Sequence, residues 1–92
     1  VTQKEREELA RMKIHQNKVE LGITGVKGVV VKMFEDYEIC HKTDFTPYQY
    51  KCVKKLISMG IVEKDEDEGF FDLSSKGYRL FKQPMRDALR KS

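Results

Sequence analysis

A chain of 92 residues with 39% apolar and 36% charged side chains holds one modest core under a heavily charged surface. That balance excludes a disordered chain and leaves little room for a deep catalytic pocket. The longest apolar run, Val29-Val30-Val31, ends at Lys32, so no membrane span of about eighteen residues is expected. The start lacks the basic-then-apolar pattern of a secretory leader, so a cytoplasmic protein is expected. The formal net charge is +3, and its distribution says more than its size. Between Thr46 and Gly60 the charges are Lys51, Lys54 and Lys55, all positive. Glu63, Asp65, Glu66, Asp67, Glu68 and Asp72 then face Lys64 alone, and Lys76, Arg79, Lys82, Arg86, Arg90 and Lys91 follow against Asp87. A patterned surface field is expected.

Thr2 and Glu5 make a capping-box pair that opens a helix running to about Leu21. Leu9, Met12 and Val19 form a narrow apolar stripe on it, interrupted by Gln16. Such a stripe suits either a partner chain or a solvated helix lying across its own domain. Thr24 is the expected cap of a second helix, from about Gly25 to Asp36, with Val26, Val29, Val30, Met33, Phe34 and Tyr37 at helical spacing. Glu38 to Lys42 reads as a short helical piece, and Thr43-Asp44-Phe45 as a turn with Phe45 tucked inward.

The clearest helix start is Thr46-Pro47-Tyr48-Gln49. Threonine caps, proline suits the first helical position, and glutamine completes the box. The helix runs to Met59, where Gly60 supplies the stop. Ile61-Val62-Glu63 reads as a strand, Asp65 to Gly69 as a turn, and Phe70 to Leu73 as the returning strand. Ser74 or Ser75 caps a last helix containing Tyr78, Leu80 and Phe81, which Pro84 interrupts or restarts. Met85 and Leu89 are a further pair at helical spacing.

At about 100° per residue, Cys52, Val53 and Gln49 share the inward side of the capped helix with Leu56. Its outward side carries Pro47, Tyr50, Lys51, Lys54 and Ser58, flanked by Tyr48 and Lys55. These cations, hydroxyls and rings, with no carboxylate among them, are what a helix entering the DNA major groove needs. The helix N-terminus adds N–H groups and the positive dipole end. A solvated amphipathic helix with ordinary surface lysines is the plainer alternative.

Cys40 and Cys52 are too few for a secreted disulfide scaffold. They read as two small buried residues in a reducing compartment, with an internal or intersubunit disulfide as the alternative. Cys40, His41, Cys52 and the distant His15 do not have zinc spacing, and the acidic run is not a calcium loop. No metal or other cofactor is expected. No nucleophile–base or paired-carboxylate motif is present, so an enzyme is not expected.

Helix, short helix, tight turn, capped helix, glycine and hairpin follow one another in that order. The chain resembles the winged helix-turn-helix superfamily, in the style of MarR-like and PadR-like regulators, and is similar in size to small archaeal and archaeal-virus winged-helix proteins. Three stretches carry the resemblance: Glu38-Ile39-Cys40 with Phe45-Thr46, Val53 to Val62 with its L-x-x-x-G-[LI]-[VI] exit, and Phe71 to Gly77. They cover about Tyr37 to Leu80. The resemblance implies a mainly α fold with a small β-hairpin, as one domain with a core over 22–82 and extra terminal helices at 1–21 and 83–92. It implies a recognition helix at Thr46 to Met59 that presents Thr46, Pro47, Tyr48, Tyr50, Lys51, Lys54 and Lys55 to double-stranded DNA. It also implies a homodimer built partly from the terminal helices, reading two half-sites.

The acidic tip, Asp65-Glu66-Asp67-Glu68, departs from the family's usual basic wing. It is either a short solvated turn held away from DNA or a surface that faces a protein. The expected function is a sequence-specific DNA-binding regulator; a winged-helix protein-interaction module with an acidic wing is the second reading.

Overall fold

The computed structural model describes residues 1–90. Among these are five α-helices and a three-stranded antiparallel sheet: α1 (Gln3–Glu20), α2 (Val26–Asp36), β1 (Cys40–His41), a 3-10 turn (Lys42–Asp44), α3 (Pro47–Ser58), β2 (Val62–Lys64), β3 (Phe70–Leu73), α4 (Ser75–Phe81) and α5 (Gln83–Leu89). The last two residues of the expected C-terminal segment, Lys91 and Ser92, lie outside the described residues. No described helix is long and apolar enough to cross a membrane.

The core forms where α2, α3 and the sheet meet. Val30, Val31 and Phe34 of α2 pack with Val53 and Leu56 of α3, all with no exposed surface, and with Ile61, Val62 and Phe71 of the hairpin. Each such side chain stabilises the fold by about 1.5–3 kcal/mol through removal from water. Phe45 is buried as expected, its ring 5.7 Å from that of Phe34. It anchors the start of α3 against α2.

Two expectations fail around Cys40. Glu38 to Lys42 is not helical: Cys40 and His41 are a two-residue strand paired with Phe71 and Phe70. The segment Glu38-Ile39-Cys40 is therefore not the first helix of a helix-turn-helix motif, and only the 3-10 turn Lys42–Asp44 precedes α3. The strand order is β1-β3-β2, so β3 bonds on both sides and draws the preceding segment into extended form. A third correction concerns α2. Its cap is Gly25 rather than Thr24, and no side chain bonds its first amides. The first hairpin strand begins at Val62, one residue later than expected, because Ile61 N–H still bonds the Leu56 carbonyl of the departing helix at 3.0 Å.

Ser74 ties the hairpin to α4. Its hydroxyl caps Gly77 N–H at 3.1 Å and lies 2.5 Å from the Gly60 carbonyl. Gly77 packs so close to the Ile61 carbonyl that a Cβ there would overlap it. α1 lies across its own domain, on α5 and α4, through Ala10, Ile14 and Asn17. The stripe Leu9, Met12 and Val19 is on the other side and more than half exposed. Between α1 and α2, Lys18 Nζ sits 2.7 Å from Glu35 Oε2, an oxygen sealed from solvent.

Candidate nucleic-acid interface

The sequence explains how α3 is held. Thr46 Oγ1 accepts from Gln49 N–H at 3.1 Å, and Gln49 Oε1 accepts from Thr46 N–H at 2.9 Å. This box closes the first turn, so fewer free amides remain there for an anion than the helix start alone suggests. Cys52, Val53 and Leu56 are buried, which fixes the rotation of the helix. Pro47, Tyr48, Lys51, Lys54, Lys55 and Ser58 stand outward and exposed.

The structure sorts the expected face into two halves. Tyr48, Lys51 and Lys55 lean toward α2, where they share a shallow hollow of about 300 Å³ with Thr24, Val26, Lys27 and Cys52. Tyr50 and Lys54 lean toward the sheet. Tyr50 is only half-exposed, its ring 5.8 Å from Phe71 in an edge-on contact. Lys54 Nζ lies 5.0 Å above the Tyr50 ring centre. Tyr50 is therefore less available than its helical position suggests. It is a platform that steadies Lys54 and joins α3 to β3.

Lys27 belongs with this cluster and was not among the expected residues. Its position holds a signal: a lysine in the first turn of a helix opposes the positive dipole end. The first turn of α2 carries no acid and no side-chain cap to offset it. Lys27 thus lines the same hollow as Lys51 and Lys55.

The acidic hairpin belongs to the sheet side of α3, the side toward which Tyr50 and Lys54 lean. Its tip is a tight turn in which Asp65 Oδ2 accepts from Asp67 N–H at 3.3 Å and Phe70 N–H bonds the Asp67 carbonyl at 3.2 Å. Lys42 N–H bonds the Gly69 carbonyl at 2.7 Å, and the His41 ring meets the Phe70 ring edge-on at 4.6 Å. The tip is folded back onto the segment before α3. Glu63 pairs directly with Asp72 across the strands. Partial burial, then Glu63, then Asp65 push the Asp72 carboxyl above its ordinary pKa, against a lowering by its own backbone bond.

Cys40 and Cys52 are both free and buried. Burial and then Asp44 push the Cys40 thiol up, with Lys82 opposing, so the thiolate is disfavoured. Cys40 and His41 are neighbours on a strand and point to opposite faces. His41 Nδ1 lies 2.8 Å from Thr43 Oγ1 and accepts from Thr43 N–H at 3.2 Å. Among the described residues no three His, Cys, Asp or Glu side chains come together to hold a metal ion. A hollow of about 490 Å³ lies elsewhere, between α1, α2, α4 and α5, and is lined by Ile14, Phe81 and Met85 among others.

The outward side of α3 carries exposed lysines and hydroxyls with no carboxylate on the helix, an arrangement suited to a polyanion. No protein-family model, characterised protein or solved structure matches the chain significantly.

Proposed function

We propose that this chain binds double-stranded DNA as a winged helix-turn-helix protein, with α3 as the recognition helix, and acts as a transcriptional regulator by occupying its target. The observation that carries the reading is the outward face of α3. Lys51, Lys54 and Lys55 stand exposed beside Tyr48 with no acid on the helix, and Lys27 extends the positive charge onto α2. Lysines of this kind neutralise phosphates and release counterions, and the hydroxyls reach base edges. Helix, strand, capped helix and hairpin in this order, with the sheet order β1-β3-β2, support the winged-helix assignment. The usual first helix of the motif is here reduced to the Lys42–Asp44 turn.

The acidic tip favours a second reading, a module that docks a basic protein through the hairpin. Glu63 and Asp72 are held opposite one another, an arrangement that costs stability and that an arriving cation would relieve. The two readings use different elements, the outward face of α3 and the tip of the hairpin.

Selection from a random duplex pool, followed by titration of the selected duplex at several salt concentrations, decides between them. The expected result is binding that weakens steeply with salt. Lys51→Ala/Lys54→Ala should lower affinity and reduce the salt slope by about two. Equal binding by both proteins, or none by either, overturns the DNA reading.

A further inference from the structure

The positive charge of the chain is concentrated at one end. Residues 1–74 hold 12 lysines and arginines against 14 aspartates and glutamates, whereas residues 75–92 hold six against Asp87 alone. Three of the five arginines, Arg79, Arg86 and Arg90, lie in that last segment. Without it the chain would be acidic.

Helical geometry gathers these charges into a stripe. Backbone bonds carry the winding from α4 into α5: Lys82 N–H bonds the Tyr78 carbonyl at 2.9 Å, and Arg86 N–H bonds the Lys82 carbonyl at 3.0 Å. Gly77, Phe81 and Ala88 are buried on one side. Lys76, Arg79, Lys82, Arg86 and Arg90 recur at spacings of three, three, four and four, on the side away from them. All but the half-buried Lys82 are exposed. At 1.5 Å per residue the stripe reaches up to about 20 Å, the rise of roughly six base pairs of duplex.

The domain leaves this charge uncompensated. Lys76 and Arg79 make no salt bridge or side-chain hydrogen bond among the described residues. Lys82 donates to the Tyr37 carbonyl at 3.2 Å and Arg86 to the Tyr78 hydroxyl, both uncharged partners. Arg90 meets a carboxylate, Asp87, at 3.6 Å. Gln83, the one amide among the cations, is bound to Asp87 at 2.7 Å, so the stripe offers charge rather than a pattern for reading bases. A protein partner would need an apolar anchor at the centre of the contact, and the other residues within the stripe are Ser75 and Gln83. A phosphate backbone needs only spaced cations, and guanidinium groups match phosphate with two parallel bonds.

We propose that the outward stripe of α4 and α5 is a second DNA site, which holds duplex backbone irrespective of sequence. α3 packs on α2 and β2, whereas α4 and α5 pack on each other and on α1, so the two surfaces belong to different parts of the fold. The second site does not require α3 to be a recognition helix.

The test is titration of a duplex of arbitrary sequence at several salt concentrations, with poly-glutamate as a competitor. Lys76→Ala/Arg79→Ala should weaken binding and reduce the salt slope by about two, with the preferred sequence of the protein unchanged. Lys13→Ala/Lys64→Ala removes the same charge from exposed positions on α1 and β2 and should leave the slope nearly as it was. Equal losses in the two variants would reduce the effect to net charge and overturn the proposal. Displacement by poly-glutamate as readily as by DNA would make an acidic protein the partner and overturn it too. If Lys51→Ala/Lys54→Ala binds like wild type while Lys76→Ala/Arg79→Ala does not, the reading of α3 falls and the second site stands.

Discussion

Asn17 donates its side-chain amide to the Leu80 carbonyl across 2.8 Å. The sequence shows why that carbonyl is free: four residues on, where a helix would supply the bonding N–H, stands Pro84. Asn17 replaces the missing donor from another element, and Gln3 Nε2 likewise donates to the Ala88 carbonyl at 2.8 Å near the end of α5. Two amide side chains thus fasten α1 to the α4–α5 pair.

Asn17→Leu should therefore destabilise the fold by about 1–3 kcal/mol, the cost of leaving a buried carbonyl unpaired. Thermal unfolding would read this as a drop of roughly 4–8 °C for each kcal/mol. Pro84→Ala in the Asn17→Leu background returns an N–H at position 84 and should recover part of the loss. A double-mutant cycle with no coupling would show that the two residues act separately.

Gly77→Ala tests the junction between α4 and the hairpin. The new methyl would meet the Ile61 carbonyl oxygen and the Leu73 side chain, and backbone cannot step aside as a side-chain end can. A loss of about 1–3 kcal/mol is expected from overpacking, measured by urea unfolding. Ala at the exposed Lys76, next door on the same helix, should cost far less.

Lys27→Ala separates the extended basic surface from α3 alone. The side chain makes no salt bridge or side-chain hydrogen bond among the described residues, so folding should be unaffected. On the DNA reading its removal reduces the salt slope of duplex binding by about one without changing the preferred sequence. An unchanged slope would confine the contact to α3.

Asp72 gives a pH dependence with a definite sign. Its carboxyl is raised in the folded chain by burial, Glu63 and Asp65, so the folded state holds this proton more tightly than the unfolded one. The resulting stabilisation is complete below the ordinary carboxylate pKa and is lost as pH rises through the raised value. At neutral pH the ionised group opposes folding. Asp72→Asn should raise the melting temperature at pH 7, and the gain should shrink as pH falls toward about 4. A gain that is constant with pH would point to a cause other than charge.

Local chemistry made α3 legible, since Thr46, Pro47, Gln49 and Gly60 write both ends of that helix into the sequence. The hairpin was legible for the same reason, with its strands bracketed by Gly60, Gly69 and Ser74. Cys40–His41 was not, because two residues have no period; their form is imposed by Phe70 and Phe71 across the ladder. The packing face of α1 was hidden differently. Its buried side is an alanine, one isoleucine and an asparagine, while the larger apolar residues stand outside. Hydrophobic spacing therefore marks the face its own domain leaves open. Tyr50 was placed outward by helical angle alone, which cannot register that Phe71 waits on that side.

The sheet has a consequence for how these molecules behave when crowded. Its two outer strands are Cys40–His41, two residues long, and Val62–Lys64, in which Glu63 and Lys64 are exposed. Neither offers a long bare row of amides and carbonyls onto which a neighbour could add a strand. The carboxylates of the tip, a liability beside phosphate, repel the same tip on any other molecule. The sheet therefore gives a neighbouring molecule little edge on which to extend a strand.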